Sequence, residues 1–304
     1  MKSKITVTVG IPAYNEAANI GFLIQDLLDQ NCNNIELVKI IVASDGSTDS
    51  TADIVRSFNN PKVEIIDNKD RLGQAARQNQ IMELTDTDVL VLLNADIKLE
   101  TKDLLDIFAN EITQGNDLVC GPLTELAPKG FIEKVIAVGA SYRRKVFENY
   151  NEGSNILTCH GSHRAFSKKL YKSFRFSGSI AEDANSYLYC VSNGYKYKYA
   201  KGAVVSIKLP ENISDHIKQS VRFFNSPMTL NETYDKELLK TQSKWPVRTF
   251  VKYGIEFLIK NPVYFTIYSL ICIYILVGTK LNLLKSSNTW KISTSSKVLR
   301  SANK

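Results

Sequence analysis

The chain has 304 residues, 44% of them apolar, which is enough for one large domain or for one domain with an appendage. Its formal net charge of +7 is uneven: residues 244–304 hold ten basic residues and one acid, whereas the first 243 residues hold 28 basic and 30 acidic ones. No recognised nucleic-acid-binding motif accompanies this basic tail, which disfavours nucleic acid, and five scattered cysteines without a CxxC disfavour a disulfide framework or a zinc site.

Strands and helices are predicted to alternate through the first hundred residues. Short β-rich apolar runs predict the strands, and helically spaced apolar residues predict the helices between them. Such alternation indicates an α/β fold with a mainly parallel sheet flanked by helices. The strands are predicted at 5–11, 38–43, 62–66 and 88–93, with helices beginning near Glu16, around Ala52 and after Gly73.

Three polar loops follow three of these strands, at Pro12–Glu16, Ser44–Asp49 and Asn94–Asp96. In a parallel sheet, ligands bind beyond the carboxyl ends of the strands. The three loops are therefore predicted to share one rim and to form a binding site there. Within the second loop, Ser47 or Asp49 is a candidate cap for the next helix.

The pattern changes after about residue 115. A strand, a long amphipathic helix, two extended segments and a further helix are predicted there. In chain order they are expected at 117–121, 130–150, 155–166, 196–207 and 212–225.

The last part of the chain is predicted to associate with a membrane. Residues 227–243 are polar and are interpreted as a linker, and residues 246–260 have the pattern of a helix lying in a lipid interface. Residues 261–279 form an uncharged apolar stretch that is close to the length of a bilayer span, roughly 17–25 residues. Basic residues flank both ends, so a full span and a shallow helix both remain open.

Several catalytic motifs are absent from the sequence. It contains no GxGxxG after the first strand, no Walker P-loop, no HExxH and no GxSxG. These absences exclude the common dehydrogenases, P-loop enzymes, zincins and serine hydrolases. Two separated acidic sites remain, Asp96 and the pair Glu182-Asp183, and they suit a division between a metal-bound phosphate and a proton transfer.

The ordered polar motifs resemble those of a family 2 glycosyltransferase with the GT-A fold. The resemblance covers residues 5–225, about three quarters of the chain. The matching motifs are Val9–Glu16, Ser44–Asp49, Gly73-(x)2-Ala76-(x)2-Asn79, Asn94–Asp96, Glu182-Asp183 and Gln219-(x)2-Arg222-Phe223.

The resemblance implies a donor site for a nucleoside-diphosphate sugar. Asp45 is expected to accept hydrogen bonds from the base, Tyr14 to stack on it, and Glu16 to bind base or ribose. Arg71 and Arg77 are interpreted as surface residues, with phosphate contact as the alternative. The other donor-site residues that the resemblance implies are Pro12, Gly73, Asn79, Asn94, Gln219 and Arg222.

The resemblance also implies a divalent cation, Mg²⁺ or Mn²⁺, held by Asp96. The chain departs from the family's DxD motif, because Asn94 replaces the first acid. An amide still hydrogen-bonds ribose there, but one negative charge is lost. His216 is an alternative additional ligand, and a strand end without a metal is the other interpretation.

Asp183 is the candidate general base, and Glu182 is expected to orient it or bind acceptor. The alternative is a solvated helix start, where acids are favoured. Residues 159–164 match the family's acceptor side, with Gly161 as the best match and with His160 and His163 either functional or structural. Phe223 replaces the family's Trp, and a plain amphipathic helix also explains that segment.

The expected function is metal-dependent, inverting transfer of a sugar from a nucleoside-diphosphate sugar to a lipid-linked or glycan acceptor at a membrane, as in cell-envelope polysaccharide biosynthesis. The alternatives are a processive polysaccharide synthase and a non-catalytic, membrane-anchored nucleotide-sugar-binding protein. The predicted organisation is a GT-A-like catalytic domain at 1–226 on the cytoplasmic side, a linker at 227–243 and a membrane-associating tail at 244–304.

Overall fold

The computed structural model of the protein describes residues 4–176, 181–225, 233–242, 244–281, 283, 284 and 299. Its strands are β1 (Ile5–Ala13), β2 (Ile35–Asp45), β3 (Val63–Asn68), β4 (Val89–Leu93), β5 (Lys98–Leu99), β6 (Leu118–Cys120), β7 (Leu123–Glu125), β8 (His163–Ser167), β9 (Tyr197–Tyr199) and β10 (Val205–Ile207). Its helices are α1 (Ile20–Leu28), α2 (Thr51–Ser57), α3 (Gln74–Leu84), α4 (Leu104–Thr113), α5 (Phe131–Asn149), α6 (Lys168–Ser173), α7 (Glu182–Ser192), α8 (Ile213–Asn225), α9 (Lys236–Gln242), α10 (Val247–Lys260) and α11 (Pro262–Lys280).

The main sheet has seven strands in the order β3-β2-β1-β4-β8-β6-β9. The four strands β3, β2, β1 and β4 are parallel, and β8 runs antiparallel between β4 and β6. The predicted α/β class with a mainly parallel sheet is confirmed. Because β8 runs the opposite way, its first residue, His163, pairs with Leu93 at the end of β4. The start of β8 therefore joins the rim formed by the ends of the parallel strands.

The two central parallel strands, β1 and β4, are buried on both faces, which is why β4 is entirely apolar. Val7, Val9 and Ile11 of β1 have no exposed surface, and all of β4 is buried. Gly10 lets α3 approach the sheet closely, since a Cβ there would lie 2.4 Å from a methyl carbon of Ile81. The sheet is thereby fixed against the helix that leads away from the rim.

Two predicted segments differ in the structure. The first helix begins at Ile20 rather than near Glu16, because Asn15 has a φ of 52° and the Glu16 N–H bonds Thr51 Oγ1 at 2.8 Å. The segment 155–166 is extended only from His163, since Ile156–Thr158 forms a 3₁₀ turn. A helix that the sequence analysis did not identify, α4, buries Leu104, Leu105, Phe108 and Ala109.

The described chain divides into two compact units. The first contains the residues up to Leu123 together with Ile156–Ser206, and it includes the seven-stranded sheet. The second contains Thr124–Asn155 and the described residues from Ile207 to Leu284, including α5, α8, α10 and α11. The predicted boundaries at 226 and 243 stay predictions, and residues 227–232 and 243 of the predicted linker lie outside the described residues.

The second unit is built around α5. Val135 on α5 packs with Phe265 and Tyr268 of α11 in a buried apolar cluster, and Tyr142 of α5 bonds the main-chain oxygen of Phe250 on α10 at 2.9 Å. Within the described part of the chain, α11 is the one helix that is long and apolar enough to cross a membrane.

Candidate active site

The loops after β1 and β2 are joined by hydrogen bonds at the rim of the sheet. Asn15 Oδ1 accepts from the Thr48 N–H at 2.8 Å, and the Asn15 N–H donates to Ser47 Oγ at 3.1 Å. Asp49 accepts from the main-chain N–H groups of Ala17 at 3.1 Å and Thr51 at 3.0 Å, so it fastens the first turn of α2 to the β1 loop. The predicted meeting of these two loops is confirmed.

Asp45, at the end of β2, is buried and already has three donors. Its Oδ1 accepts from the Leu72 N–H and from Arg77 Nε, both at 2.8 Å, and its Oδ2 accepts from the Gly73 N–H at 2.9 Å. The carboxylate therefore organises the loop that precedes α3. Its expected contact with a nucleotide base stays a prediction, and Oδ2, which has one of these donors, has the greater remaining capacity to accept.

Arg77 is buried, so its interpretation as a surface residue was wrong. Only 6% of its side chain is exposed, and the guanidinium also bonds Gln80 Oε1 at 3.3 Å and the main-chain oxygen of Asp70. A buried cation needs a paired anion, and Asp45 supplies it. Arg77 thus braces the loop at 70–73 from inside the fold.

Tyr14 lies at the rim with the guanidinium of Arg71 over its ring, 3.9 Å from the centroid. Arg71 itself is exposed, as expected. Gly73 precedes α3 with a φ of 93°, a conformation that favours glycine, while a Cβ there would meet no atom within 4 Å. The requirement for glycine at this position is therefore one of backbone conformation.

Three further donor-site candidates, Pro12, Glu16 and Asn79, lie in the first unit. Pro12 is buried in β1 opposite Ala43, and Glu16 is buried and accepts from Asn19 Nδ2 at 3.0 Å. Asn79 holds Phe176 through two hydrogen bonds, from Nδ2 to the main-chain oxygen at 3.0 Å and from the main-chain N–H to Oδ1 at 2.9 Å. The Asn79 amide is thus used to fix the chain at 176.

Asn94 and Asp96 lie in the loop after β4, and both are partly exposed. Asn94 Oδ1 accepts from Gln74 Nε2 at 2.9 Å, so Gln74 joins the rim, a residue that the sequence analysis did not single out. The Asn94 N–H bonds the main-chain oxygen of Ser162 at 2.8 Å, just before β8 begins. This bond connects the loop after β4, which carries the candidate metal ligand Asp96, to residues 161–163.

The acidic pair opens α7 and lies against that same segment. A Cβ on Gly161 would be 3.6 Å from Glu182 Oε1 and 3.7 Å from the Cβ of Asp183. Ser162 is bonded to the main chain of Asn94, and Gly161 lies beside the acids, so the segment 161–162 links the loop after β4 to the start of α7. Both acids are partly exposed and are thus open to a ligand.

Arg164 lies beneath the acidic pair, and the sequence analysis named it only as part of the acceptor-side segment 159–164. Its side chain is fully buried, and Nη1 donates at 2.8 Å both to the main-chain oxygen of Glu182 and to Ser186 Oγ. Its guanidinium also lies 5.3 Å from the ring centroid of Phe176. All five residues of β8 are buried, so no alternation along the strand distinguished Arg164 in the sequence.

The three histidines have different surroundings. His163 is fully buried, and burial lowers its pKa to about 3, so it is neutral at physiological pH; its Nδ1 lies 2.8 Å from Ser162 Oγ. His160 is half-buried beside it. His216 is buried in the second unit against Tyr268, with ring centroids 6.3 Å apart, and burial followed by the charge of Arg143 lowers its pKa to about 4.

Gln219 is partly exposed on α8, which belongs to the second unit. Arg222 and Phe223 lie on the same helix, and their side chains are outside the described residues. Within the described part of the chain, no group of three or more His, Cys, Asp or Glu side chains is arranged to hold a metal ion.

Comparison of the fold with solved structures gives similar enzymes. A mannosyltransferase from Pyrobaculum calidifontis, solved with GDP-mannose and Mn²⁺, is 16% identical with a TM-score of 0.64, over 92% of this chain and 88% of that one. Glucosyl-3-phosphoglycerate synthase from Mycobacterium tuberculosis, solved with Mn²⁺, UDP and phosphoglyceric acid, is 16% identical with a TM-score of 0.56, over 76% and 80%. These likenesses establish the GT-A fold.

Comparison of the sequence gives a family. A 4,4'-diaponeurosporenoate glycosyltransferase of Staphylococcus aureus is 31% identical over 108 residues, which are 35% of this chain and 28% of that relative. The chain therefore matches less than a third of the relative's length. The family model described as glycosyl transferase family 2 matches residues 8–175, more than half of the chain. The chain belongs to glycosyl transferase family 2.

Proposed function

We propose that the protein is an inverting glycosyltransferase that moves a sugar from a nucleoside-diphosphate sugar to a hydroxyl of a lipid-linked or glycan acceptor at a membrane surface. The observation that carries the proposal is the position of Gly161 beside Glu182 and Asp183, next to the bond between Ser162 and Asn94. This arrangement supports a donor side and an acceptor side at one rim.

The donor site of the proposal consists of the loops after β1, β2 and β4 with the start of α3. Tyr14 supplies an aromatic ring for the base, and Asp45 supplies a buried acceptor whose orientation is fixed by Arg77. The solved relatives with GDP-mannose and with UDP support a nucleotide at this rim. The roles of Gln219 and Arg222 in donor binding stay predictions from the family resemblance.

Asp96 fits a divalent cation as a single protein ligand. Asp96 is partly exposed and carries a carboxylate, the ligand type that Mg²⁺ and Mn²⁺ prefer, and Mg²⁺ commonly takes one or two carboxylates with substrate phosphates and water. Asn94 contributes an amide instead of a second charge. The ion, when bound, supplies positive charge to the diphosphate as the sugar departs. The Mn²⁺ and Mg²⁺ complexes of the solved relatives support this choice.

Asp183 is proposed to remove the proton from the acceptor hydroxyl. That oxygen forms a bond to the anomeric carbon, while the bond from the anomeric carbon to the diphosphate oxygen breaks and the electron pair leaves with the nucleotide. One displacement inverts the anomeric configuration. Glu182 orients the base or the acceptor, and Arg164 fixes the start of α7 through the Glu182 main-chain oxygen.

The membrane part of the proposal rests on α10 and α11. Both helices expose large apolar side chains, including Ile259 at 76% and Val263 at 60%. Basic residues on α10 suit anionic lipid headgroups. The staphylococcal relative, whose name gives diaponeurosporenoate as its acceptor, supports an apolar acceptor. The catalytic unit is proposed to lie on the cytoplasmic side.

Calorimetry with UDP, GDP and dTDP, each with and without Mn²⁺, tests the donor site. We expect metal-dependent binding of one nucleotide by the wild type, and a loss of the metal dependence in Asp96→Asn. Circular dichroism of the same samples establishes that they are folded. Failure of a folded wild type to bind any of the three would contradict the donor site.

Two further measurements test turnover and the acceptor. Deletion of residues 244–304 is expected to release the protein from membranes, and retention of the deleted form would contradict the membrane proposal. Product length in the transfer assay separates one added sugar from many, and a long polymer would favour a processive synthase. Binding of a donor that is never turned over would favour a non-catalytic protein.

A further inference from the structure

Helix α10 has three distinct faces. The first packs on α5 through Phe250, Tyr253 and Phe257, and Tyr142 of α5 contacts both phenylalanine rings, with centroids 5.9 and 5.5 Å apart. The second carries charged residues four apart. The third is apolar and exposed, with the helical spacing of a continuous stripe. The charged face holds Arg248, Lys252, Glu256 and Lys260, and the exposed stripe holds Val247, Val251, Ile255, Leu258 and Ile259.

Helix α11 has one packed side and one exposed side, although it carries no charge before Lys280. Its inner side packs against α5 through Phe265 and Tyr268, and a Cβ on Gly139 of α5 would lie 2.1 Å from the Tyr268 ring. The opposite side is exposed and also follows helical spacing. The exposed side holds Val263, Leu270, Tyr274, Val277 and Leu281.

The two helices form one layer on α5. Phe257 of α10 and Phe265 of α11 contact each other with ring centroids 6.0 Å apart, and both contact Tyr142 below them. Since each helix directs one side to α5, the two exposed apolar stripes face away from it. The layer therefore presents a continuous apolar surface with the basic face of α10 beside it.

We infer that this surface lies flat on an anionic lipid bilayer and that α11 does not span it. The inference rests on the membrane association in the proposed function. If α11 crossed the bilayer, α5 would enter the hydrocarbon with it, because Gly139 and Tyr268 are in tight contact. Helix α5 carries Arg143, Arg144 and Lys145, charges that hydrocarbon does not accommodate.

The basic residues of α10 identify the lipid as anionic. Arg248, Lys252 and Lys260 are exposed on the face that borders the apolar stripe, and Glu256, the one acid among them, is bonded to Lys260 at 2.7 Å. Cations at the edge of an apolar stripe are the arrangement of helices that lie in an interface. A bilayer containing phosphatidylglycerol offers both the apolar depth and the negative headgroups.

Vesicle flotation of the full-length protein tests the surface. Val251 on the exposed stripe and Leu84 on α3 are both 57% exposed, so Val251→Asp and Leu84→Asp are matched variants. We expect Val251→Asp to weaken binding to phosphatidylcholine–phosphatidylglycerol vesicles about tenfold or more, from the lost burial of one apolar side chain. Leu84→Asp is expected to bind like the wild type. Equal binding by both variants would overturn the inference.

The sides on which the two termini lie test the flat orientation. In spheroplasts of cells that express the chain with a tag at each end, a flat layer leaves both tags on the same side, so external protease spares both until the cells are lysed. Tags that respond oppositely would overturn the flat orientation while leaving membrane association intact. No membrane binding at all would contradict the membrane part of the proposed function as well.

Size-exclusion chromatography with light scattering distinguishes two possible partners of this surface, a lipid bilayer and a second copy of the chain. A dimer that Val251→Asp converts to a monomer, with vesicle binding unchanged, would overturn the inference and assign the surface to a protein interface. A constant oligomeric state together with lost vesicle binding supports the lipid. Neither measurement depends on sugar transfer.

Discussion

Arg77 donates from Nε to Oδ1 of Asp45 over 2.8 Å, and both side chains are almost completely buried. The two residues are 32 positions apart, on α3 and β2. Their pairing joins the end of the sheet to the loop that carries Arg71 and Gly73. The shape of the proposed donor site thus depends on an ion pair that a nucleotide need not touch.

Arg77→Met is expected to destabilise the fold. It leaves a buried carboxylate with two main-chain donors and no cation, and removal of one partner of a buried pair costs about 3–5 kcal/mol. Chemical unfolding followed by circular dichroism measures the change. Arg56→Met, which removes an exposed arginine from α2, is the control and is expected to unfold like the wild type. Equal stability of the two variants would contradict the bracing role.

Gly139→Ala and Gly254→Ala are expected to change stability in opposite directions. At Gly139, a Cβ would collide with the Tyr268 ring at 2.1–2.3 Å, and overpacking of this kind costs about 1–3 kcal/mol. At Gly254, the nearest atom is Tyr142 Oη at 3.5 Å, so alanine fits and stabilises the helix by about 0.5–1 kcal/mol. Thermal unfolding of both proteins checks the pair, and a common direction would contradict the tight contact between α5 and α11.

Asp183→Asn is expected to lower sugar transfer about 10²- to 10⁴-fold, the usual contribution of a general base. Donor binding should be unchanged, because the substitution leaves the loops after β1 and β2 intact. Initial rates with radiolabelled donor, together with calorimetry, separate the two effects. Asp53→Asn, an exposed position on α2, controls for the loss of one negative charge. Sugar transfer by Asp183→Asn at the wild-type rate would contradict the assignment of Asp183 as the general base.

Acid is expected to destabilise the protein through two buried histidines. The pKa of His163 is lowered to about 3 and that of His216 to about 4, both below the ordinary 6.5, so the unfolded state takes up protons first. Stability is therefore retained above about pH 6.5 and falls towards pH 4 by up to about 1.4 kcal/mol per pH unit for each histidine. Chemical unfolding at several pH values measures the slope.

His163→Gln is expected to remove about half of the dependence of the unfolding free energy on pH, since each histidine takes up one proton on unfolding. The double variant His163→Gln/His216→Gln is expected to remove most of it. A double variant that keeps the wild-type slope between pH 6 and 4 would contradict the assignment. Asp88 also has a lowered pKa, but its contribution to the unfolding free energy is lost only at a pH below its ordinary pKa of 3.8.

The strands and the rim loops could be predicted because their information is local. The apolar runs of β1, β2 and β4 are short and continuous, and the polar residues that follow them fall at one edge once the strands are parallel. Helix α4 was also within reach, since Leu104, Leu105, Phe108 and Ala109 have helical spacing. The information that specifies α4 is therefore local as well.

The buried charges could not be predicted in this way. Arg77 in isolation has the pattern of an exposed helical residue, and only Asp45, which is distant in sequence, accounts for its burial. The start of α1 was misplaced for the same reason, because Glu16 is held in a turn by Thr51 of another loop. Interactions between distant segments decided both cases.

The link between β4 and β8 at the rim is a main-chain bond, from the Asn94 N–H to the Ser162 oxygen. Its existence is independent of the side chain at 94, and proline alone, which has no N–H, would abolish it. Asn94 stands where the family has the first acid of its DxD pattern. Its side chain can therefore be exchanged without breaking this hydrogen bond between the ends of β4 and β8. An exchange of amide for carboxylate there would alter charge and ligand preference while the approach of Gly161 to the acidic pair is kept.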